Sequence, residues 1–445
     1  MEIADDLSGS SPLVMFMINS RTIILKVALW RVKLIKYRKR MMITFNNIVC
    51  YAVACGAILL QNCKGHSPIS VGSGQRVDSN ITITPGKVTV ACYYFPNWGP
   101  VQQSEWTTIK FAKPKFSGHQ QPKVPLWGYE NEQDPGVMTK KIDAASTHGI
   151  DVFIFDWYYY DDGPYLEKAL DSGFLRASNN DKIKFALLWC NHDVGAFKKG
   201  AVRPETFDKI TDEIITKYFK NPSYWKIDGC PFFSIYQFTT FLETFGGDIT
   251  KAVAALERFR EKVKAAGFPD LHLDGSLWDL KAGHRDAMIE QLGINSTSTY
   301  TWVHHIPLSD FPVSEYAVEG DAYFNAVLTG GGHNGLETPA GSLKVPYYLN
   351  VSMGWDPSPR CGAVTAAYWL DHKSPYPFGP VLEGNSPEQF KKYLARAKSL
   401  TMKNPEDQRI IIINSWNEWG EGSYLEPDTV HRMDYLDAVR DVFYR

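Results

Sequence analysis

Short apolar runs alternate with segments of helical periodicity from residue 88 to the end of the sequence. The apolar runs are rich in β-branched and aromatic residues, as buried parallel strands are; they predict strands over 88–94, 150–156, 184–189, 230–236, 271–275, 296–302, 345–351 and from Ile410 onward. The intervening segments predict helices over 135–149, 165–177, 206–219, 249–266, 284–292, 316–328, 387–400 (with Ser386 as its N-cap) and 434–443. Eight strands that alternate with helices over about 360 residues predict the α/β class, as a single (β/α)8 TIM barrel with long βα loops rather than a doubly wound sheet.

The last apolar run ends in a cluster of charged and aromatic residues. Residues 410–413 are four isoleucines, and within a few positions they are followed by Trp416, Asn417, Glu418, Trp419 and Glu421. A core strand cannot continue through such residues without burying unpaired charge. Active sites of α/β barrels lie at the C-terminal ends of the strands, so this cluster predicts an active site after the eighth strand.

Glu418 and Glu421 are the candidate catalytic residues. In a helical turn, residues three apart lie on one side with Cβ atoms roughly 5–6 Å apart. Hydrolysis of a glycosidic bond uses two carboxyl groups, one to protonate the leaving oxygen and one to act as base or nucleophile. Like charges at this distance also raise one pKa, which keeps one carboxyl protonated near neutrality. The alternative is a surface loop with a solvated glutamate pair and two packing tryptophans.

Polar and aromatic residues also follow the other predicted strands. Because the ends of barrel strands converge on one pocket, we predict a saccharide-binding site there. For a lone histidine such as His192 or His304, an ordinary hydrogen-bonded position is favoured over a catalytic role. The aromatic content of 13% fits a large aromatic core as well as it fits carbohydrate binding. The predicted binding residues are Tyr94, Trp98, Asp156, Trp157, Tyr158, Asn191, His192, Tyr236, Trp302, His304, Trp355, Trp416, Asn417 and Trp419.

The sequence resembles a known family at these motifs. WNEWGEG at 416–422 and YLEPD at 424–428 resemble the signature of the WbsX-like proteins, which are related to glycoside hydrolase family 99, the endo-α-mannosidases. YYFP at 93–96 and FDWY at 155–158 are similar to the first two strands of that family. The resemblance extends from about residue 88 to the C-terminus. It implies a TIM barrel and metal-independent, retaining hydrolysis of α-mannosides.

The resemblance also implies roles for the two glutamates. Glu418 would deprotonate the 2-hydroxyl of the sugar, which attacks the anomeric carbon to give a 1,2-anhydro sugar, and Glu421 would serve as acid and then base. Gly420 departs from the endo-mannosidases, which typically carry His there. The catalytic pair therefore transfers to this chain, while the identity of the sugar does not.

The N-terminal segment has the layout of an export signal. An apolar run at 48–60 ends near Cys63, which we predict to be the lipidated first residue of the mature chain, as in lipoproteins of Bacteroidota. This predicts a signal over 1–63, with a start at Met41 or Met42, a flexible tether over 64–85 and a catalytic domain over 86–445. The expected location is the periplasm or cell surface, as an outer-membrane lipoprotein. An uncleaved membrane anchor is the alternative. The basic cluster ahead of the apolar run consists of Arg31, Lys33, Lys36, Arg38, Lys39 and Arg40.

Composition narrows the possible partners. A formal net charge of −2 provides no overall field for nucleic acid or an anionic membrane. Seven cysteines without a CxxC pair or a Cys/His cluster indicate neither a metal site nor a cofactor. We therefore expect an oligo- or polysaccharide substrate, no nucleic acid, and membrane contact only through a lipid anchor. Three functions stay open: a glycoside hydrolase, a non-catalytic glycan-binding lipoprotein, and a glycosyltransferase, which export past the cytoplasmic pool of nucleotide sugars disfavours.

Overall fold

The structure is a computed structural model that describes residues 87–100, 104–280, 283–372 and 376–443. The predicted export signal over 1–63, with Cys63 as its lipidated residue, and the whole predicted tether over 64–85 lie outside these ranges and stay predictions. The described residues belong to one structural unit. No helix in these ranges has the length and apolar character needed to cross a bilayer.

Eight parallel strands form the barrel, and they are hydrogen-bonded in the order β7-β8-β1-β2-β3-β4-β5-β6. The ring closes between β6 and β7, where the Thr297 N–H donates to Pro346 O and the Tyr348 N–H donates to Thr297 O, both at 2.8 Å. This arrangement confirms the predicted (β/α)8 barrel. The strands are β1 (Thr89–Tyr94), β2 (Val152–Tyr160), β3 (Lys184–Trp189), β4 (Cys230–Ile235), β5 (His272–Ser276), β6 (Ser296–Ser298), β7 (Leu349–Ser352) and β8 (Ile410–Asn414).

Helices follow the strands at nearly the predicted positions. The predicted N-cap is confirmed, because the Ser386 side chain accepts a hydrogen bond from the Gln389 N–H. Short helices also lie in the loops, at Trp106–Lys110, Phe238–Thr244 and Ala366–Asp371. The longer helices are Pro135–Thr147, Pro204–Glu213 with a π-helical extension Ile214–Phe219, Ile249–Ala265, Arg285–Gln291, Tyr316–Thr329, Pro387–Thr401 and Asp434–Phe443.

The predicted helix over 165–177 is confirmed only in part, because the segment is helical in its second half but does not form a regular α-helix. The segment contains a π-helical turn, Ala169–Gly173, and a 3₁₀ turn, Phe174–Arg176, and it follows a short strand, Gly163–Tyr165, that pairs with the end of β2. A Cβ at Gly173 would lie 2.0 Å from the Glu132 carbonyl oxygen. Close packing against this backbone, rather than local periodicity, therefore decides the conformation.

Two predicted strands differ by four residues at their C-terminal ends, and the seventh strand begins at Leu349 rather than at residue 345. β2 continues past residue 156 to Tyr160, because its last residues pair with Gly163–Tyr165. β6 ends at Ser298 rather than at residue 302, because the carbonyls of Thr299 and Tyr300 accept hydrogen bonds from Asn350 Nδ2 instead of from a neighbouring strand. Both C-terminal differences arise from long-range hydrogen bonds. The early end of β6 places Tyr300 in a loop.

A carboxyl group is buried inside the barrel. Asp274 on β5 accepts hydrogen bonds from Ser234, Ser296 and Ser298 at 2.7–2.8 Å. Tyr93 on β1 contacts the Ser298 hydroxyl across the barrel at 3.2 Å. Burial raises the pKa of Asp274 to about 6, although the three hydroxyls lower it.

We predict that Asp274 makes stability depend on pH. Its pKa is higher in the folded state than in the unfolded chain, so its contribution is most favourable below about pH 4 and is lost as pH rises through 6. The difference in unfolding free energy between the wild type and Asp274→Asn should change by about 2–3 kcal/mol in favour of the variant from pH 4 to 7. Denaturant titrations at several pH values measure this difference, which removes the contributions of groups common to both proteins. A trend in the opposite direction would contradict the prediction.

Candidate active site

A cavity of about 890 Å³ opens at the C-terminal end of the barrel strands. Eight of the predicted site residues line it: Asp156, Tyr158, His192, Tyr236, His304, Trp355, Glu418 and Glu421. Lining residues that the sequence analysis did not select include Phe95, Glu105, Trp278, Tyr300, Arg360 and Tyr376. The strand ends thus meet in one cavity, and loops from distant parts of the sequence complete it.

Glu418 and Glu421 face this cavity from a tight hairpin after β8. Glu418 ends a short strand, Asn417–Glu418, that pairs antiparallel with Ser423–Tyr424, and Glu421 ends the 3₁₀ turn Trp419–Glu421. Gly422 permits the return of the chain, because its φ of 63° lies in the left-handed region. The turn therefore brings both carboxyl groups to one surface.

One guanidinium contacts both glutamates. Arg360 Nη2 donates to Glu418 Oε1 at 2.7 Å, and Nη1 donates to Glu421 Oε1 at 2.5 Å. Arg360 lies in the loop after β7, within the 3₁₀ turn Ser358–Cys361. Its position after a barrel strand was the available sequence signal, but the contact itself joins residues about 60 positions apart.

Tyr300 joins a third carboxyl group to the pair. Its hydroxyl lies 2.8 Å from Asp156 Oδ2 and 3.1 Å from Glu418 Oε2. A phenol has one hydrogen to donate, so both contacts are hydrogen bonds only when one of the two carboxyls is protonated. Burial raises the pKa of Asp156, although the Tyr300 bond lowers it, which favours a protonated Asp156.

Burial also controls the ionisation of the glutamates. It raises the pKa of Glu418 and that of Glu421, while the charge of Arg360 lowers both. A carboxyl with a raised pKa keeps its proton to a higher pH than a free glutamic acid does, which is what a general acid requires. Burial lowers the pKa of His192 and lowers that of His304 to about 3, so both imidazoles are neutral at pH 7.

Three polar atoms of the cavity have unmet hydrogen-bonding capacity. Asp156 Oδ1, His192 Nδ1 and His304 Nδ1 are buried and have no hydrogen-bond partner among the described residues. Buried polar atoms are rarely left unpaired, so these atoms are candidate partners for the polar groups of a ligand. No three His, Cys, Asp or Glu side chains within the described ranges are grouped as a metal site requires; the absence of a metal or cofactor stays a prediction.

The other eight predicted residues do not line the cavity. Successive side chains of a strand point to opposite faces, so Asp156 and Tyr158 face the cavity, whereas Trp157 packs on Tyr218 on the helix side. Trp302 likewise stacks on Tyr316 of the following helix. These buried residues support the site from the core: Tyr94, Trp98, Trp157, Asn191, Trp302, Trp416, Asn417 and Trp419.

Comparison with known families agrees with the motif. The model of the family described as "Glycosyltransferase WbsX" matches residues 96–439. The chain belongs to this family. The resemblance that the sequence motifs indicate is thereby confirmed.

Relatives of this WbsX-family chain include a longer protein. The protein described as "Uncharacterized protein WxcX" from two strains of Xanthomonas campestris pv. campestris is 24% identical over 381 residues, which cover 80% of this chain and 50% of WxcX. The chain thus spans about half the length of the curated relatives it matches.

Two solved structures have a similar fold. The GH99 endo-alpha-mannosidase from Bacteroides thetaiotaomicron has a TM-score of 0.50 at 14% identity, over 79% of this chain and 95% of that chain. A structure described as "Glycoside hydrolase-like protein" has a TM-score of 0.53 at 14% identity, over 82% and 97%. At such identity the likeness supports the barrel fold.

A buried ion cluster holds the backbone around Glu418 in this WbsX-family chain. Lys141 Nζ lies 2.5 Å from Glu132 and 2.6 Å from Glu426, and all three side chains are at most 2% exposed. Glu132 accepts from Asn417 Nδ2, and Glu426 accepts from Trp419 Nε1. The residues immediately before and after Glu418 are therefore both bound to this cluster. Burial raises the pKa of Glu132 to about 7 in spite of the Lys141 charge.

We predict that Lys141→Met destabilises the fold strongly. Removal of the cation leaves two buried carboxyls without their partner, and such a loss typically costs about 3–5 kcal/mol. Lys182→Met is the control, because Lys182 pairs with Asp143 at the surface and should change stability by less than about 1 kcal/mol. Denaturant unfolding of both variants tests this, and equal effects would contradict the assignment.

Proposed function

We propose that this protein is a glycoside hydrolase, a retaining endo-acting enzyme on an α-linked polysaccharide such as a mannan. The single observation that carries the proposal is the pair of carboxyls, Glu418 buried and Glu421 partly buried, that face one large cavity and contact a common guanidinium. Two carboxyl groups at the scissile bond are the usual machinery of glycoside hydrolysis.

The mechanism assigns a separate proton transfer to each glutamate. Glu418 as carboxylate takes the proton of the sugar 2-hydroxyl, and the 2-oxygen attacks the anomeric carbon as the glycosidic bond breaks. Glu421 as carboxylic acid gives its proton to the leaving oxygen. In the second step Glu421 takes a proton from water, and the water oxygen bonds to the anomeric carbon as the bond between that carbon and the 2-oxygen breaks. The released 2-oxygen then takes its proton back from Glu418.

The lining of the cavity suits a hydroxyl-rich ligand. The unpaired atoms of Asp156, His192 and His304 can bind sugar hydroxyls. Tyr236 and Trp355 add aromatic faces. The volume of about 890 Å³ falls in the range of sites that bury most of a ligand, which supports an oligosaccharide segment rather than a small ion. The resemblance to the family 99 endo-mannosidases makes α-mannans the first glycans to test, but the departure at Gly420 means that it does not fix the identity of the sugar.

Two other functions compete with hydrolysis. The family description favours glycosyl transfer, but among the residues that the structure describes Arg360 is the only Lys or Arg that lines this cavity, and carboxylates already engage it. A nucleotide-sugar diphosphate would need free cationic donors. A non-catalytic glycan-binding protein would use the same aromatic faces, without need for a paired acid and base.

We predict that Glu418→Gln and Glu421→Gln each lower turnover by about 10²–10⁴-fold, the usual worth of a positioned acid or base. Glycan binding should survive, because each amide keeps the size of the side chain. Release of reducing ends from α-mannan measures turnover, and calorimetry with the same glycan measures binding. Glu257→Gln on an exposed helix surface is the control.

Each outcome separates the alternatives. Unchanged turnover in either glutamine variant would rule out the proposed mechanism. Binding by the wild type without hydrolysis of any α-linked glycan in the panel would support the binding protein. Sugar transfer from a nucleotide donor would support the transferase.

We also propose that the enzyme is exported and anchored through a lipid on Cys63. The expected result is palmitate labelling of the wild type in cells and no labelling of Cys63→Ser. Labelling that persists in the variant, or a protein that stays in the cytoplasm, would refute the anchor.

A further inference from the structure

Arg360 has every donor engaged. Its Nε and Nη2 atoms both lie 3.2 Å from Glu105 Oε2, Nη2 also donates to Glu418, and Nη1 donates to Glu421 and, at 2.6 Å, to the Tyr376 hydroxyl. A guanidinium is planar and holds its donors at fixed angles. It therefore fixes the positions of the groups that it joins more firmly than a flexible ammonium would.

Gly420 makes room for this ion pair. A Cβ at Gly420 would lie 2.8 Å from Arg360 Nε and 2.8 Å from Glu105 Oε2. Gly420 does not have a positive φ, so space rather than backbone conformation calls for glycine. The position where this chain departs from the endo-mannosidase pattern is the position against which Arg360 and Glu105 pack.

We propose that Arg360, held over Gly420 by Glu105, is a positioning residue that sets the relative placement and ionisation of Glu418 and Glu421. The proposal rests on the proposed function, because positioning is defined with respect to the hydrolytic reaction. Neither Arg360 nor Glu105 transfers a proton or forms a bond in that reaction.

Arg360 and Glu105 have opposite charges and therefore opposite effects on the pKa values of Glu418 and Glu421. Arg360 lowers the pKa of Glu418 and that of Glu421, whereas Glu105 raises both, in addition to the larger effect of burial. Asp156 also raises the pKa of Glu418. Among the described residues, the other titratable side chains that line this cavity are Tyr158, Tyr165, Cys190, His192, Asp193, Tyr236, Tyr300, His304 and Tyr376.

We predict opposite shifts of the pH profile of kcat/KM. Arg360→Gln should move the acidic and the basic limb of the profile to higher pH, by roughly one to three pH units, because the two carboxyls lose a neighbouring cation. Glu105→Gln should move both limbs downward by a smaller amount, because they lose an anion. Arg360→Lys should keep the profile near that of the wild type but lower kcat more than it changes KM, because one ammonium cannot bridge both carboxyls in the same geometry.

The controls separate positioning from general damage. Arg396→Gln removes a surface ion pair with Asp321 and should leave the profile unchanged. Loss of activity in Arg360→Gln and Glu105→Gln with no shift of either limb would overturn the proposal, as would shifts in the same direction. If the wild type hydrolyses no glycan, the proposed function fails; ¹³C NMR titration of the Glu418 carboxyl then still tests the two opposite shifts.

A double-mutant cycle tests the role of Gly420. Gly420→Ala should lower kcat/KM at least tenfold in the wild type, because the new Cβ displaces Arg360 or Glu105. In Arg360→Gln, whose side chain is shorter, the same change should cost less than threefold. If Gly420→Ala lowered kcat/KM by the same factor in both backgrounds, Gly420 would act independently of Arg360, and this part of the proposal would be refuted.

Discussion

The contact between one guanidinium and two buried carboxyls is the interaction on which the site depends. Glu418 is 3% exposed and Glu421 is 13% exposed, so neither carboxyl is well hydrated. Removal of two like charges from water without a counterion would be very unfavourable. Arg360 provides that counterion, and its 20% exposure places it at the boundary between the cavity and the surrounding loops.

The barrel supplies the rigidity that this contact needs. β8 is entirely buried and ends at Asn414, directly before the hairpin that carries both glutamates. Asn417 binds the Phe95 backbone through both its oxygen and its nitrogen, and it also contacts the buried Glu132. The hairpin is thus held to the end of β1 and to the helix that carries Lys141. Charged and polar groups stabilise a transition state more strongly when the fold already holds them in the required orientation.

The fold and the position of the two glutamates at the cavity could be predicted because both are local in the sequence. An apolar run predicted each strand. The charged residues directly after the last buried strand indicated Glu418 and Glu421. The finer assignment of aromatic residues failed where the alternation of side chains along a strand decides which way a ring points. Trp157 on β2 packs on Tyr218 of a helix, and Trp416 after β8 packs on Phe153 of β2, so neither lines the cavity. Tyr300 and Arg360 were missed because their importance comes from contacts across long sequence distances, which no local pattern encodes.

Gly420 shows how a small departure from a motif can carry information about the whole site. Read alone, a glycine between Trp419 and Glu421 indicates only a turn. In the structure its missing side chain leaves the volume that Arg360 and Glu105 occupy. Because Arg360 comes from the loop after β7 and Glu105 from the loop after β1, a larger residue at 420 would disturb three loops at once. Changes in this family at position 420 are therefore expected to be coupled to changes at 105 and 360, since all three compete for the same space.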